Sequence, residues 1–236
     1  MLNHLLIIGC GNMGGAMLAG WLAAGEDPAR FAVLDPALPE APEGVALYRD
    51  AAEVPGAHDA VLLGFKPQQL GALGPGLQAL TGADVSVYSL LAGITLGQLG
   101  QAFPGAAAHV RVMPNLAARI NKSPVILCEA GLGEAARTAA FALFDTLGSA
   151  VWLADEAQFD LVTALAGSGP GFVSRFIAAL AGAAIDLGLD EQTAASLALA
   201  TVEGAAALAA ASDVGPATLA DRVASPGGMT REGLNV

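Results

Sequence analysis

The sequence predicts an α/β protein in two parts: an N-terminal doubly wound parallel sheet over residues 1–154, and an all-helical domain over residues 155–236. Three observations carry this. Short β-like runs alternate with helical stretches through the first part. No strand-like run remains after about Asp155. A glycine-rich turn, Gly9-Cys10-Gly11-Asn12-Met13-Gly14, joins the first apolar run to the first helix. Alternation of this kind predicts a parallel sheet covered on both faces.

Candidate strands are His4–Ile8, Phe31–Leu34, Val45–Tyr48, Ala60–Leu63, Val85–Ser89, His109–Val112, Pro124–Leu127 and Ala150–Leu153. Helical stretches between them are Met13–Ala24, Gln68–Leu80, Leu96–Phe103 and Glu134–Leu147. The Asp35–Gly44 connection carries Pro36, Pro39 and Pro42 and is a loop, because proline breaks a helix interior. Beyond Asp155, Glu156–Ala166, Pro170–Leu187, Glu191–Ala211 and Ala217–Ala224 are helix-compatible. Gly188 as a C-cap and Asp190 as an N-cap make Leu187–Asp190 a tight turn. Phe172, Val173, Phe176, Ile177, Leu180 and Ile185 cover every face of the helix from Pro170, which predicts burial on all sides. The second domain is too small to bury two such helices alone. The sequence therefore predicts pairing with a second copy, a symmetric dimer being the commonest form.

Composition narrows the function. With 54% hydrophobic and only 14% charged residues, the chain of 236 is short of solvated surface and must bury much of itself. Its 22 acidic against 10 basic residues, net charge −12, exclude a generic electrostatic grip on nucleic acid or an anionic membrane. Two cysteines make neither a disulfide framework nor a zinc cluster, which suits a reducing cytoplasm. The N-terminus lacks the basic flank of a signal peptide, and the apolar helices are alanine-rich and broken by Asp186 and Glu203; they read as buried elements, not membrane spans.

The glycine turn has the G-x-G-x-x-G spacing of a dinucleotide-binding loop. One glycine permits the tight turn, the next lets backbone approach a pyrophosphate, and the third lets helix and strand pack closely. Asp35, 21 residues after Gly14, ends the second strand, where an acid accepts hydrogen bonds from adenine-ribose hydroxyls and repels a 2′-phosphate. No basic residue lies between Asp35 and Arg49, which tilts the expectation toward NAD over NADP; Arg49 or a loop movement would reverse it. Gly64-Phe65-Lys66-Pro67 and Ala92-Gly93 follow strand ends and face the same crevice. Lys66 lies either along the ligand or in solvent. In Arg111-Val112-Met113-Pro114-Asn115, Asn115 is a candidate partner on the nicotinamide side, and Arg111 is either a structural ion pair or a substrate ligand.

Gly167-Ser168-Gly169-Pro170 reads as a helix start, with Pro170 at the first position and Ser168 or Gly169 as cap. Ser225-Pro226-Gly227-Gly228-Met229-Thr230 reads as an anion nest of backbone N–H groups that takes a carboxylate without an arginine. His4, His58 and His109 are scattered, so no metal site is expected. No nucleophile elbow appears, and neither cysteine has a base partner.

Together these segments resemble the pyrroline-5-carboxylate reductase family over nearly the whole chain. The likeness includes Ile8–Gly14, Lys66-Pro67-Gln68, Ala92-Gly93-Ile94, Arg111–Asn115, Val162–Leu165, Gly167–Pro170 and Ser225–Gly228; the last two, in this order and at this separation, are the specific ones. The resemblance implies a Rossmann domain followed by a helical domain that interlocks two chains, with each active site at the dimer boundary. It implies hydride transfer from NADH or NADPH to the C=N carbon of 1-pyrroline-5-carboxylate, giving L-proline. It places the substrate carboxylate at Ser225, Gly227, Gly228 and Met229, and the Thr230 hydroxyl at the ring nitrogen. Departures are Met229, where the family usually has Thr or Ala, Ala51, where many members place an Asn that reaches the cofactor, and small exchanges at Ala166 and Gly171. Family members also continue through a further helix beyond the position of Val236.

Two other classes share the Gly9–Gly14 start. A hydroxyacid dehydrogenase of related fold needs a lysine on the first interdomain helices, and residues 155–236 contain none. A non-catalytic dinucleotide-binding regulator would bind cofactor without oxidising it when imine is added. An imine reductase with another substrate is the remaining alternative.

Overall fold

All eight candidate runs form strands of one sheet in the computed structural model, which describes residues 2–56 and 58–235. They are β1 (Leu5–Ile8), β2 (Phe31–Leu34), β3 (Ala46–Tyr48), β4 (Ala60–Leu63), β5 (Ser86–Ser89), β6 (Ala108–Met113), β7 (Ser123–Ala130) and β8 (Gly148–Trp152). The order is β3-β2-β1-β4-β5-β6-β7-β8. Neighbours are parallel except at β6–β7, so the expected parallel sheet is found, with β7 and β8 running against the other six. The cause is the short connection from Met113 to Ser123. A parallel return takes a dozen or more residues; this one holds only the 3₁₀ turn Leu116–Ile120 and Asn121 at φ 56°.

Helices α1 (Asn12–Ala23), α2 (Leu70–Leu77), α3 (Leu96–Ala102) and α4 (Glu134–Asp145) fall where expected, with α2 shortened by flanking 3₁₀ turns. Alternate residues of β1 feed two cores. Leu5 and Ile7 join Trp21, Phe31, Tyr88 and Phe144, whereas Leu6 and Ile8 join Leu63, Leu77, Leu99 and Phe103. Trp21 stacks on Phe31 at 5.2 Å, meets Phe144 edge-on at 5.7 Å, and donates its indole N–H to Leu143 O at 3.0 Å. That anchors α1 against α4 and β2.

Two compact units result, Met1–Pro170 and Gly171–Val236. The segment after Asp155, assigned to the helical part by sequence, packs within the first unit. Phe159 is buried beside Ile126 and Cys128, and Glu156 accepts from Leu96 N at 2.7 Å. Arg111 resolves as an ion pair: it meets Glu156 at 2.9 Å and Asp160 at 3.5 Å, with its guanidinium 3.9 Å over the Phe159 ring.

The helix start expected at Pro170, with Ser168 or Gly169 as its cap, is also corrected. The 3₁₀ turn Glu156–Gln158, α5 (Phe159–Val162), a π turn (Thr163–Gly167) and α6 (Gly169–Asp186) run on from one another, and Ser168 has helical angles, φ −88° and ψ −25°. Pro170 has no N–H for Ala166 O, four residues back. The Asn115 carboxamide donates to that carbonyl instead, at 3.0 Å.

The second unit continues α6 and adds α7 (Glu191–Ala211), α8 (Pro216–Val223) and α9 (Met229–Leu234). Asp190 caps α7 through Thr193 N, and Gly188 has φ 100°, as the turn chemistry requires. In the single chain α6 buries no residue, and Phe172 and Phe176 are 70% and 58% exposed. The burial expected of this helix is thus not supplied by its own chain. By length and composition alone, Glu156–Asp186 and Glu191–Ala211 would each also pass for a membrane span.

Candidate functional site

The strand order reverses direction between β1 and β4, and in open α/β sheets ligands bind beyond the strand ends at that point. A cleft of about 800 Å³ opens there, lined by Gly9, Gly11, Asn12, Asp35, Phe65 and Lys66 among others. Gly9 turns with φ 86° and seats itself against the exit of β4. A Cβ on Gly64 would lie 2.3 Å from Gly9 O, and one on Gly14 2.8 Å from the same oxygen. Gly11, the N-cap of α1, has nothing within 4 Å of its missing Cβ. Gly14 and Gly64 thus let two backbones close on the Gly9 carbonyl, while Gly11 leaves room for a ligand. Behind Gly11 the first N–H groups of α1 lack intrahelical partners and carry the helix's positive end, so the loop fits a pyrophosphate.

The other expected cofactor residues spread differently. Cys10 and Gly14 are buried, and Met13 packs partly against the core. Pro67 opens a 3₁₀ turn that Gln69 closes by accepting from Lys66 N at 3.0 Å, leaving the Lys66 side chain exposed at the cleft. Ala92 and Gly93 are exposed on the loop after β5. Asn115 is buried, with its carboxamide holding Ala117 N at 2.9 Å and Ala166 O. Sequence reasoning missed that pairing; a proline at 170 with an Asn in a turn was the available signal.

Asp35 is clamped on both oxygens. Oδ2 accepts from Cys10 N at 2.8 Å, and Oδ1 from Ala37 N at 2.9 Å and Leu38 N at 3.2 Å. Burial, with Asp35 adding its charge, pushes the Cys10 thiol up to about 11. The thiol is thus neutral at physiological pH. Iodoacetamide at pH 8 should alkylate Cys10 about a hundredfold more slowly than an ordinary thiol, with mass spectrometry of the labelled peptide as the check; labelling at the ordinary rate would contradict the buried setting.

In the second unit, Gly227 has φ 68° and Gly228 N donates to Ser225 O at 3.0 Å, closing a turn that runs straight into α9. Met229 and Thr230, read as part of the anion nest, are the first two residues of that helix, and both are exposed. Arg231 ties α9 to Asp221 at 2.8 Å and to Ala224 O at 3.2 Å.

Sheet order, glycine loop and cleft together define a dinucleotide-binding protein of the Rossmann type with an added helical unit. A family model described as pyrroline-5-carboxylate reductase dimerisation matches residues 156–236. The pyrroline-5-carboxylate reductase of Pseudomonas aeruginosa is 33% identical over 237 residues, covering 98% of this chain and 87% of the relative. The structure of a pyrroline-5-carboxylate reductase from Coxiella burnetii is similar with a TM-score of 0.90 at 28% identity, over 100% of this chain and 90% of that one. The fold also matches a Plasmodium falciparum pyrroline carboxylate reductase solved with NADP bound, TM-score 0.88 at 24% identity, over 100% and 89%. The chain belongs to the pyrroline-5-carboxylate reductase family.

Proposed function

We propose that this protein reduces 1-pyrroline-5-carboxylate to L-proline with NADH or NADPH, as a cytoplasmic homodimer. The observation that carries the reading is a family relationship spanning 98% of the chain in a protein that keeps both the dinucleotide loop and the Ser225–Gly228 turn. Reduced nicotinamide supplies the hydride that the imine carbon accepts. The residues Gly9–Gly14 hold the pyrophosphate, Asp35 faces the adenosine ribose and favours NADH, and Gly64–Pro67 with Ala92 and Gly93 border the nicotinamide half. Asn115 acts on this site by fixing its loop.

Ser225, Gly227, Gly228 and Met229 form the turn that binds the substrate carboxylate, through the Ser225 hydroxyl and the backbone N–H groups other than that of Gly228, which Ser225 O already holds. Thr230 hydrogen-bonds the ring nitrogen and orients it. A hydroxyl is too weak an acid for more, so most acceleration comes from holding donor and acceptor in line, a contribution that reaches about 7–11 kcal/mol in well-oriented systems. The exposed faces of α6 and α7 pair two chains. With a net charge of −12, neither nucleic acid nor an anionic membrane is a partner.

The test is decay of reduced-nicotinamide absorbance on adding the imine. Thr230→Ala should lower kcat/KM about tenfold, the value of one hydrogen bond of about 1.4 kcal/mol. No imine-dependent decay with either cofactor would remove the activity, and unchanged turnover in the variant would remove the role of the hydroxyl.

A further inference from the structure

An arginine on the rim of the adenosine end of a dinucleotide cleft is ordinarily read as the ligand of a 2′-phosphate. Arg49 sits there, exposed and lining the cleft with Asp35 and Ala51. Its guanidinium is already engaged. Nη1 donates to Asp35 O at 2.9 Å and to Leu38 O, and Nη2 donates to Pro39 O at 3.0 Å. Three carbonyls of the loop after β2 thus converge on one side chain that comes from beyond β3.

The backbone of Arg49 is fixed as well. Glu53 Oε2 accepts from Arg49 N at 3.0 Å and from Asp50 N at 3.4 Å, while Asp50 Oδ1 accepts from Ala52 N at 2.9 Å, a reciprocal cap on the turn Ala51–Glu53. The strap reaches the Asp35 carboxylate by a short path. It holds the carbonyls at 35, 38 and 39, and the same loop sends the N–H groups of Ala37 and Leu38 back onto Asp35 Oδ1. No ion pair joins Arg49 to a carboxylate among the described residues. The charges nearest along the chain, Glu43, Asp50 and Glu53, are acidic, as is Asp35 in the cleft, so this end of the cleft is unfavourable for a phosphate dianion.

We infer that Arg49 is a positioning residue for cofactor choice: it straps the 35–39 loop, holds Asp35 toward the ribose, and so selects the dinucleotide lacking a 2′-phosphate. The inference deepens the proposed function by naming the cofactor, and it rests on the dinucleotide reading of the cleft, not on the imine chemistry. An arginine fork suits this task because its donors diverge in one plane; a lysine offers a single point.

The two roles give opposite signs, and direct binding separates them. Titration calorimetry of the full chain with NADH and with NADPH, without imine, should show NADH bound at least about tenfold tighter, which is about 1.4 kcal/mol. Arg49→Gln should weaken NADH severalfold and leave NADPH unchanged or tighter, so the ratio shrinks. Asp35→Asn, which keeps the shape and removes the charge, should tighten NADPH severalfold. Wild-type preference for NADPH, or loss of NADPH binding alone in Arg49→Gln, would overturn the inference and make Arg49 the phosphate ligand. Binding of neither dinucleotide to the wild type would instead overturn the reading of the cleft. Absence of imine turnover with normal NADH binding would leave this inference standing and count against the substrate alone.

Discussion

Gly64→Ala should unseat the dinucleotide loop and cost the protein both stability and cofactor. The new methyl carbon would lie 2.3 Å from Gly9 O, a backbone atom that cannot swing aside as a side chain would. Gly9 N is bonded to Leu34 O at 2.9 Å and Gly64 N to Ile8 O at 2.8 Å, so the loop is pinned on both sides of the clash. Relief requires β4 to part from the turn, an overpacking penalty of about 1–3 kcal/mol, which lowers Tm by about 5 °C in a chain of this size. NADH affinity should fall at least tenfold, read by calorimetry. Gly11→Ala is the informative contrast. Its φ is −71° and nothing lies within 4 Å of the added carbon, so melting should be unchanged while NADH binding weakens. Equal melting loss in both variants would contradict the separate roles given to these glycines.

Phe176→Asp should convert the proposed dimer to a monomer. Phe172 and Phe176 stand 70% and 58% exposed on a helix with no buried residue, and burying a phenylalanine is worth about 1.5–3 kcal/mol. A two-fold interface contains each position twice, so one substitution removes the contribution twice and leaves two carboxylates to desolvate. A loss of about 4 kcal/mol already weakens association about a thousandfold. Light scattering after size exclusion should report one chain, and imine reduction should vanish with it. A variant that remains dimeric and active at micromolar concentration would place the interface elsewhere.

The sequence was legible where local chemistry decides the outcome. Strand positions followed from the apolar runs, and β2 and β4 match to the residue. The glycine loop, the proline-bearing connection after Asp35 and the Gly188/Asp190 turn followed from backbone constraints that no tertiary contact has to supply. What was not legible depends on partners distant in sequence. Apolar periodicity carries no strand direction, so the reversal of β7 and β8 was invisible although the short link after Met113 contained it. The start of α9 at Met229 hid behind two glycines in a helix of six residues, too short to show a period.

The roles of polar side chains were the least readable. Arg111 was open between ion pair and ligand until Glu156, Asp160 and Phe159 closed around it. Asn115 has the residue type of a cofactor contact, yet its amide stands in for the N–H that Pro170 lacks. Arg49 has the charge of a phosphate ligand, yet three carbonyls hold it.

The amino-acid order alone determined that a glycine turn follows a buried strand, that an acid ends the next strand, and that the terminal helices are too apolar to stand alone. Each is a property of neighbouring residues. Tertiary structure decided which donors and acceptors those residues have left to offer. A guanidinium or carboxamide has few directed hydrogen bonds, and the fold's own buried carbonyls lay claim to them before any ligand can.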